Sequence, residues 1–199
     1  MNLSEEIKNT RKEDFEIKEK TFENEEIENV DAKELEFSKC KFNNCKYKNS
    51  YFNHTTFSDI IFENCDFSNS DFSESSLVRV QFINCKLTGC NFTESDLYNT
   101  SLKECNCGYI NLNLSSIRNA SIKGSNLSKG SISECKLKKL EVEESIFEQV
   151  QLFRTKLEKV DFSTCDISGI IVGIEDIKGM IVNEMQALEL AKLIGIVIK

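Results

Sequence analysis

Residues 65–77 read CDFSNSDFSESSL, and this short stretch decides the architecture. Its bulky apolar residues, Phe67, Phe72 and Leu77, recur every fifth position. Two residues before each stands a small one: Cys65, Ser70 and Ser75. A period of five matches neither the helical repeat of 3.6 nor the strand repeat of 2. Residues two apart on an extended chain share one face, so each unit offers two inward side chains. A regular corner must then turn the chain before the next unit begins.

The period extends far beyond the opening stretch. From Phe37, steps of five lead to Ile177 and meet only Phe, Leu, Ile, Val, Tyr and Cys. Backwards the same register runs through Ala32, Ile27 and Phe22 to Ile17. The residue two before each centre is small or apolar throughout, and carries no charge between Val30 and Ile170. Four such units with four corners close a square coil of about twenty residues. Coils of this kind stack through strand-like hydrogen bonds, each burying its neighbour's face. Some eight coils at ~4.8 Å each give a rod about 40 Å long.

A small residue, Asn or Asp, then Leu or Phe and two polar residues resembles the pentapeptide-repeat family over roughly residues 15–177. The resemblance implies an all-β fold, a right-handed quadrilateral β-helix, with a short helical N-cap and a C-terminal helix. The expected division is a capping segment over 1–14, the β-helix over 15–182, and a helix and tail over 183–199 that serve dimerisation.

Composition narrows the function classes. The chain has 199 residues, 40% hydrophobic and 29% charged, with no Pro and 8 Gly, so loop-rich linkers lack their usual residues. No apolar run is long enough to span a bilayer. The first twenty residues are too acidic and polar for a signal peptide, and a cytoplasmic location is expected. The formal net charge of −8 is uneven: residues 1–36 carry 13 acidic and 6 basic side chains, leaving 20 and 19 for the rest. The global sign disfavours direct nucleic-acid binding. Between Lys103 and Lys139 the local balance reverses, with Arg118, Lys123, Lys129, Lys136 and Lys138 between those two lysines against Glu104 and Glu134. A solvated face accounts for that segment, and no role is assigned to it.

Nine cysteines suggest a metal or redox site until they are placed. Cys40, Cys45, Cys65, Cys85, Cys90, Cys105, Cys135 and Cys165 occupy the small inward position and Cys107 a central one. Packing therefore accounts for all of them. There is no Cys-x-x-Cys, and His54 is the only histidine, so neither metal nor cofactor is expected. Cys45, Cys65, Cys85 and Cys105 stack on one corner, but parallel side chains in a reducing compartment predict free thiols. No nucleophile–base pair and no Gly-rich phosphate loop is visible, so an enzyme is not expected.

Arrays need caps. Ser4 is the expected N-cap of a short first helix, with Glu5 and Glu6 in its first turn. The first coil is irregular, since Lys20 and Glu25 stand where small residues belong. After Ile177 the period stops, and the final segment reads as a helix capped by Asn183, ending near Gly195, followed by a β-like tail of Ile196, Val197 and Ile198. This is more apolar surface than a lid on one coil needs, which predicts a homodimer through Met180, Met185, Leu188, Ala191, Ile194, Ile196 and Ile198.

The segment from Asp166 to Ile198 is similar to the last coil, helix and tail of the Qnr-like, quinolone-resistance branch of the family. That resemblance implies a dimeric rod that binds DNA gyrase and topoisomerase IV, by mimicry of duplex DNA, and protects them from fluoroquinolones. Qnr proteins of Gram-negative bacteria carry two interrupting loops; here the register is unbroken from Ile17 to Ile177, so no loop residue is carried over. The candidate contact residues are the acidic run Asp59, Glu63, Asp66, Asp71 and Glu74, a stretch that contains no Lys or Arg. A second candidate is an apolar contact patch of Val78, Arg79 and Tyr98. The alternative reading is a structural scaffold for an unrelated protein partner, which a patchwork surface potential would favour over a continuous negative stripe.

Overall fold

The computed structural model describes residues 2–12 and 16–197. Extended segments pair in parallel with the segment twenty residues on, as in Phe57↔Leu77 and Phe62↔Phe82. One ladder steps through Glu26, Lys46, Asp66, Lys86, Asn106, Asn126, Ile146 and Asp166, which is eight stacked rungs. The architecture is a right-handed four-sided β-helix, as the family resemblance implies. Below, the four sides are named by their centres in one coil: Phe57 for the first, Phe62 for the second, Phe67 for the third and Phe72 for the fourth.

The corner is made by backbone conformation. The residue two after the centre adopts positive φ in every unit from Ile17 to Leu157, as in Asn64 (55°), Asn69 (59°), Glu74 (56°) and Arg79 (56°), though not at Thr164 or Ile174. This left-handed conformation is costly for most L-residues and least so for Gly and Asn. Asn indeed recurs there, at positions 24, 29, 44, 49, 64, 69, 84, 99 and 119, with Gly at 89, 124, 169 and 179. Non-Gly, non-Asn residues at the same corners are held by the ladder to the next coil. His54 N–H donates to Ser73 O at 3.0 Å, and Glu74 N–H to Thr93 O at 2.9 Å.

Both inward positions are buried. Phe22, Phe42, Phe62 and Phe82 stack in one column at centroid spacings of 4.9, 4.8 and 4.8 Å. Phe52, Phe72 and Phe92 form another, at 4.9 and 4.7 Å. Beyond Phe92 the axis is aliphatic apart from Phe147 and Phe162. The small position is also a hydrogen-bonding position. Ser70 Oγ donates to Tyr47 O at 2.8 Å, Ser75 Oγ to Phe52 O at 2.7 Å and Cys90 Sγ to Phe67 O at 3.0 Å. Ser, Thr and Cys are therefore interchangeable there, since each supplies one donor to a carbonyl of the preceding coil. All nine cysteines are buried free thiols. Burial pushes the Cys90 thiol up to about 12 and the Cys135 thiol up to about 11.

The N-terminal cap differs from expectation in its first residue. The helix α1 spans Leu3–Thr10, and its N-cap is Asn2, not Ser4. Asn2 and Glu5 form a reciprocal capping box, which satisfies two orphan donors at once. Leu3 and Ile7 are buried. The two departures in the first coil turn out to dock this helix. Lys20 Nζ lies 2.8 Å from Glu6, while Glu25 accepts from Leu3 N–H at 3.1 Å and from Tyr47 O–H at 2.6 Å.

At the other end, α2 spans Glu184–Ala191 with Asn183 as N-cap. It is fixed by a polar residue. Gln186 is buried, and its amide donates to Phe162 O at 2.9 Å and Cys165 O at 2.6 Å. Those two carbonyls end the last coil, so Gln186 does the work of a further strand there. A short 3-10 turn, Lys192–Ile194, follows and ends at Gly195 with φ 79°. The expected β-like tail is not a strand at Ile196 and Val197, and Ile198 lies outside the described residues.

Candidate interaction surfaces

The outward positions of each unit are the residue before the centre and the two after it. The five acidic candidates are consecutive in sequence but wrap around a single coil. Asp59 sits at the corner of the first and second sides, Glu63 on the second, Asp66 on the third, Asp71 on the fourth and Glu74 at the corner back to the first. The structure therefore does not gather them on one face.

Each also has a partner in its own neighbourhood. Arg79, one coil on, holds Asp59 through a second bond of 2.8 Å from its guanidinium, and this keeps the Asp59 carboxyl below its usual range. Lys41 lies 3.1 Å from Glu63, and Lys48 3.4 Å from Asp66. His54 Nδ1 lies 3.5 Å from Glu74. Asp66 and Asp71 are in addition turn residues: their Oδ1 atoms accept from Ser68 N–H and Ser73 N–H, both at 3.0 Å. The same Asx geometry recurs at Asn91, Asn126, Asp161 and Asp166, so it belongs to the repeat and not to a site.

The second candidate is only partly assembled. Val78 and Tyr98 are ladder partners on the first side, as their spacing implies. Arg79, however, is turned onto Asp59 and Ser58. The cation over the Tyr98 ring is Arg118, at 5.4 Å from the centroid.

At the C-terminal end the apolar candidates divide. Met180 is half-buried against the core, with Val182 and Leu190. Met185 is 73% exposed, Leu188 43%, Ile194 53% and Ile196 50%, while Ala191 is half-buried. Ile181, Leu193 and Val197 are exposed beside them. The outward-facing Ile146, Ile171 and Ile174 are exposed too and extend apolar surface towards this end. Sequence reasoning missed those three, although each stands at an outward phase of the repeat where polar residues predominate.

No described helix is long and apolar enough to cross a membrane. Among the described residues, no cluster of three or more His, Cys, Asp and Glu side chains could hold a metal ion.

Comparison with known proteins agrees with this geometry. The family model described as the pentapeptide repeat region matches residues 35–112 and 75–147, more than half of the chain. Among solved structures, a trypsin-treated variant of QnrB1, a plasmid-mediated fluoroquinolone resistance protein, aligns over 92% of this chain and 100% of its own at a TM-score of 0.52 and 19% identity. HetL, a pentapeptide-repeat protein involved in heterocyst differentiation regulation in the cyanobacterium Nostoc, aligns over 92% and 98% at 0.27 and 14%. Rfr23, from the cyanobacterium Cyanothece, aligns over 72% and 99% at 0.32 and 16%. No curated protein matches the sequence. The unbroken register, the left-handed corners that recur without a gap from Glu19 to Lys159 and the family match together place this chain in the pentapeptide-repeat family.

Proposed function

We propose that this chain is a non-enzymatic interaction rod that pairs with a second copy through its C-terminal end and binds a type II topoisomerase, DNA gyrase or topoisomerase IV, with protection from fluoroquinolones as the consequence. The observation that carries the rod-and-pair reading is the exposed apolar surface of Met185, Leu188, Leu193, Ile194 and Ile196 on an end already sealed by Gln186 and Leu190. Patches of this kind on a closed core mark an interface. Support for the topoisomerase comes from the likeness of the C-terminal segment to the Qnr branch. The test is gyrase supercoiling in the presence of ciprofloxacin, with the purified protein titrated in. Restored supercoiling at micromolar protein supports the reading. An intact dimer by light scattering without any rescue overturns it.

The mode of binding is narrower than mimicry of duplex DNA along the whole rod. A mimic needs a sustained negative field, whereas Asp59, Glu63 and Asp66 are matched by Arg79, Lys41 and Lys48. That patchwork favours a second reading, a scaffold for an unrelated protein partner. Glu63→Lys and Glu74→Lys separate the two, because neither carboxylate accepts the turn bond that Asp66 and Asp71 accept. Loss of gyrase protection with an unchanged melting curve supports an acidic contact. Protection that survives both changes removes these residues from the contact.

A further inference from the structure

The stacked coils of this rod are stitched at the surface by charge as well as by backbone. In the N-terminal half the rungs alternate in sign: Glu19 over Lys39, Glu26 over Lys46, and Asp59 over Arg79 all form ion pairs. Like-charged rungs also occur where the ladder is intact, as at Glu16↔Glu36, Lys103↔Lys123 and Arg118↔Lys138, but one joint gathers three of them. Between the coil that begins at Lys136 and the coil that begins at Lys156, the twenty-residue register sets Lys136 over Lys156, Lys139 over Lys159 and Glu141 over Asp161. Like charges directly opposite one another destabilise a ladder.

The backbone is open at the same joint. The strand Lys136–Glu143 pairs fully with Ser116–Lys123 on one side. On its other side no backbone hydrogen bond joins 136–143 to 156–163 among the described residues; Glu144 N–H instead donates to Thr164 Oγ1 at 3.2 Å. The ladder resumes on the third side, where Phe147 N–H donates to Asp166 O at 2.6 Å, and on the fourth, where Leu152 N–H donates to Ile171 O at 2.8 Å. The opening is thus confined to the two sides that carry the like-charged rungs. Leu137, the axial residue at this point, is half-buried, whereas Leu77 in the same column is fully buried.

The first side here is basic and its cations are spare. Lys136, Lys138, Lys139 and Lys156 have no ion-pair partner within 4.0 Å among the described residues. Tyr98, Arg118, Asn119, Lys138 and Lys139 line a groove of about 320 Å³ beside the open joint, with no carboxylate in its lining. Two stacked ammonium groups at the ~4.8 Å rung spacing can share one phosphate dianion.

We propose that this groove and the adjoining lysine rungs bind a compact polyphosphate, either free or as the phosphate chain of a nucleotide, and that binding closes the joint. Three rungs and one side span on the order of 10 Å each way, which suits a few adjacent phosphates. A long duplex would extend past the basic patch and meet a chain whose net charge is −8. Neutralising Lys136 over Lys156 and Lys139 over Lys159 lowers the repulsion across the first side of the joint. The bound anion therefore orders the amides of Leu137 and Lys139, which face the joint on the side it neutralises.

The experiment is amide hydrogen exchange of the full chain with and without inorganic tripolyphosphate, at matched ionic strength, alongside calorimetric titration. The expected result is saturable binding and at least a ten-fold slowing of exchange in 136–144, with residues 56–83 unchanged. ATP at equal affinity shows that the phosphates suffice, and tighter ATP shows that the groove also takes the base; both outcomes support the proposal. Lys139→Glu turns a like rung into an opposite one. It is expected to slow exchange in 136–144 without ligand and to weaken tripolyphosphate binding. Glu already occupies the same left-handed corner at Glu74, Glu104 and Glu144, so the variant folds as the parent does. No binding above the ionic-strength control, or unchanged exchange in Lys139→Glu, overturns the proposal. So does tighter binding of a poly-glutamate peptide or of a short DNA duplex, each of which would assign the surface to a macromolecule.

Discussion

Replacing Phe67 with Ala tests whether the aromatic axis is the principal source of the rod's stability. Phe67 is fully buried on the third side and touches four other rings: Phe62 at 5.0 Å, Phe72 at 5.6 Å, Phe52 at 5.7 Å and Tyr47 at 5.8 Å between centroids. A buried Phe→Ala change costs about 3–5 kcal/mol, the spread reflecting how far the site collapses. Collapse is restricted here because the backbone of residue 67 is clamped. Its N–H donates to Lys86 O at 2.8 Å, and its carbonyl accepts from Cys90 Sγ at 3.0 Å. The loss should therefore fall in the upper half of the range. For a chain of this length, ~1 kcal/mol lowers Tm by about 2–4 °C, so the expected fall is about 10–20 °C. Urea unfolding followed by circular dichroism gives the free energy directly. Phe67→Leu keeps most of the volume and should cost under about 1.5 kcal/mol. A loss below about 1.5 kcal/mol for Phe67→Ala, or equal losses for the two variants, would refute the argument that packing at the axis is rigid and close.

Leu114 holds φ 64° at an exposed corner, and Leu114→Asn should raise stability by about 0.5–1 kcal/mol, because Asn tolerates the left-handed region better; a lower urea midpoint would contradict this. The nine thiols should react with a thiol reagent only as fast as the rod opens, since all are buried and the Cys90 and Cys135 thiols are pushed up to about 12 and about 11; stoichiometric labelling within seconds under native conditions would refute it. Stability should fall with acid. The hydrogen bond from Arg79 lowers Asp59, the Ser163 hydroxyl lowers Asp161, and in Asp66 burial raises the value but Ser68, Lys86 and Lys48 more than offset it. A depressed folded value contributes stability above the unfolded value of about 3.9 and loses it as pH falls through the folded one. Urea midpoints should therefore stay level from neutral pH to about pH 5 and drop below about pH 4; a drop that is complete above pH 5 would point to other groups.

The fold was legible because its core signal is local. Each unit of five residues declares its own inward pair, and Phe67 with Cys65 predicts the burial of both without reference to any distant residue. The corners were legible too, though they went unread: Asn at 44, 49, 64, 69 and 84 keeps one phase of the repeat, and a recurrent Asn at one phase marks a left-handed position. The first helix shows a similar lapse. Asn2 followed by Glu5 is a capping box, and it outranks the lone hydroxyl of Ser4. The burial of Gln186 was not legible, because its two acceptors, the carbonyls of Phe162 and Cys165, are open to a side chain only where regular stacking ends.

Surface charge obeys a different metric, and this is why the acidic candidates did not assemble. Along the chain, Asp59 to Glu74 is a run of five acids; on the rod, neighbours are residues twenty apart. Compared at that interval, Asp59 faces Lys39 and Arg79, Asp66 faces Lys46 and Lys86, and Glu74 faces His54. The run is then one coil's share of a cross-stitched surface, broken where Glu74 also faces Glu94. The same metric exposes what the linear reading passed over. Lys136, Lys138, Lys139 and Lys156 look scattered among Glu134, Glu141 and Glu158 in sequence, yet at the twenty-residue interval Lys136 faces Lys156 and Lys139 faces Lys159, and the backbone ladder is missing at that one joint. In a solenoid the residues that decide stability repeat at the length of the unit, and those that decide recognition repeat at the length of the coil. A function search in such a chain should therefore begin from charge and apolar columns taken at twenty, and here that search leads to the basic first side and the apolar C-terminal end before it leads to the acids.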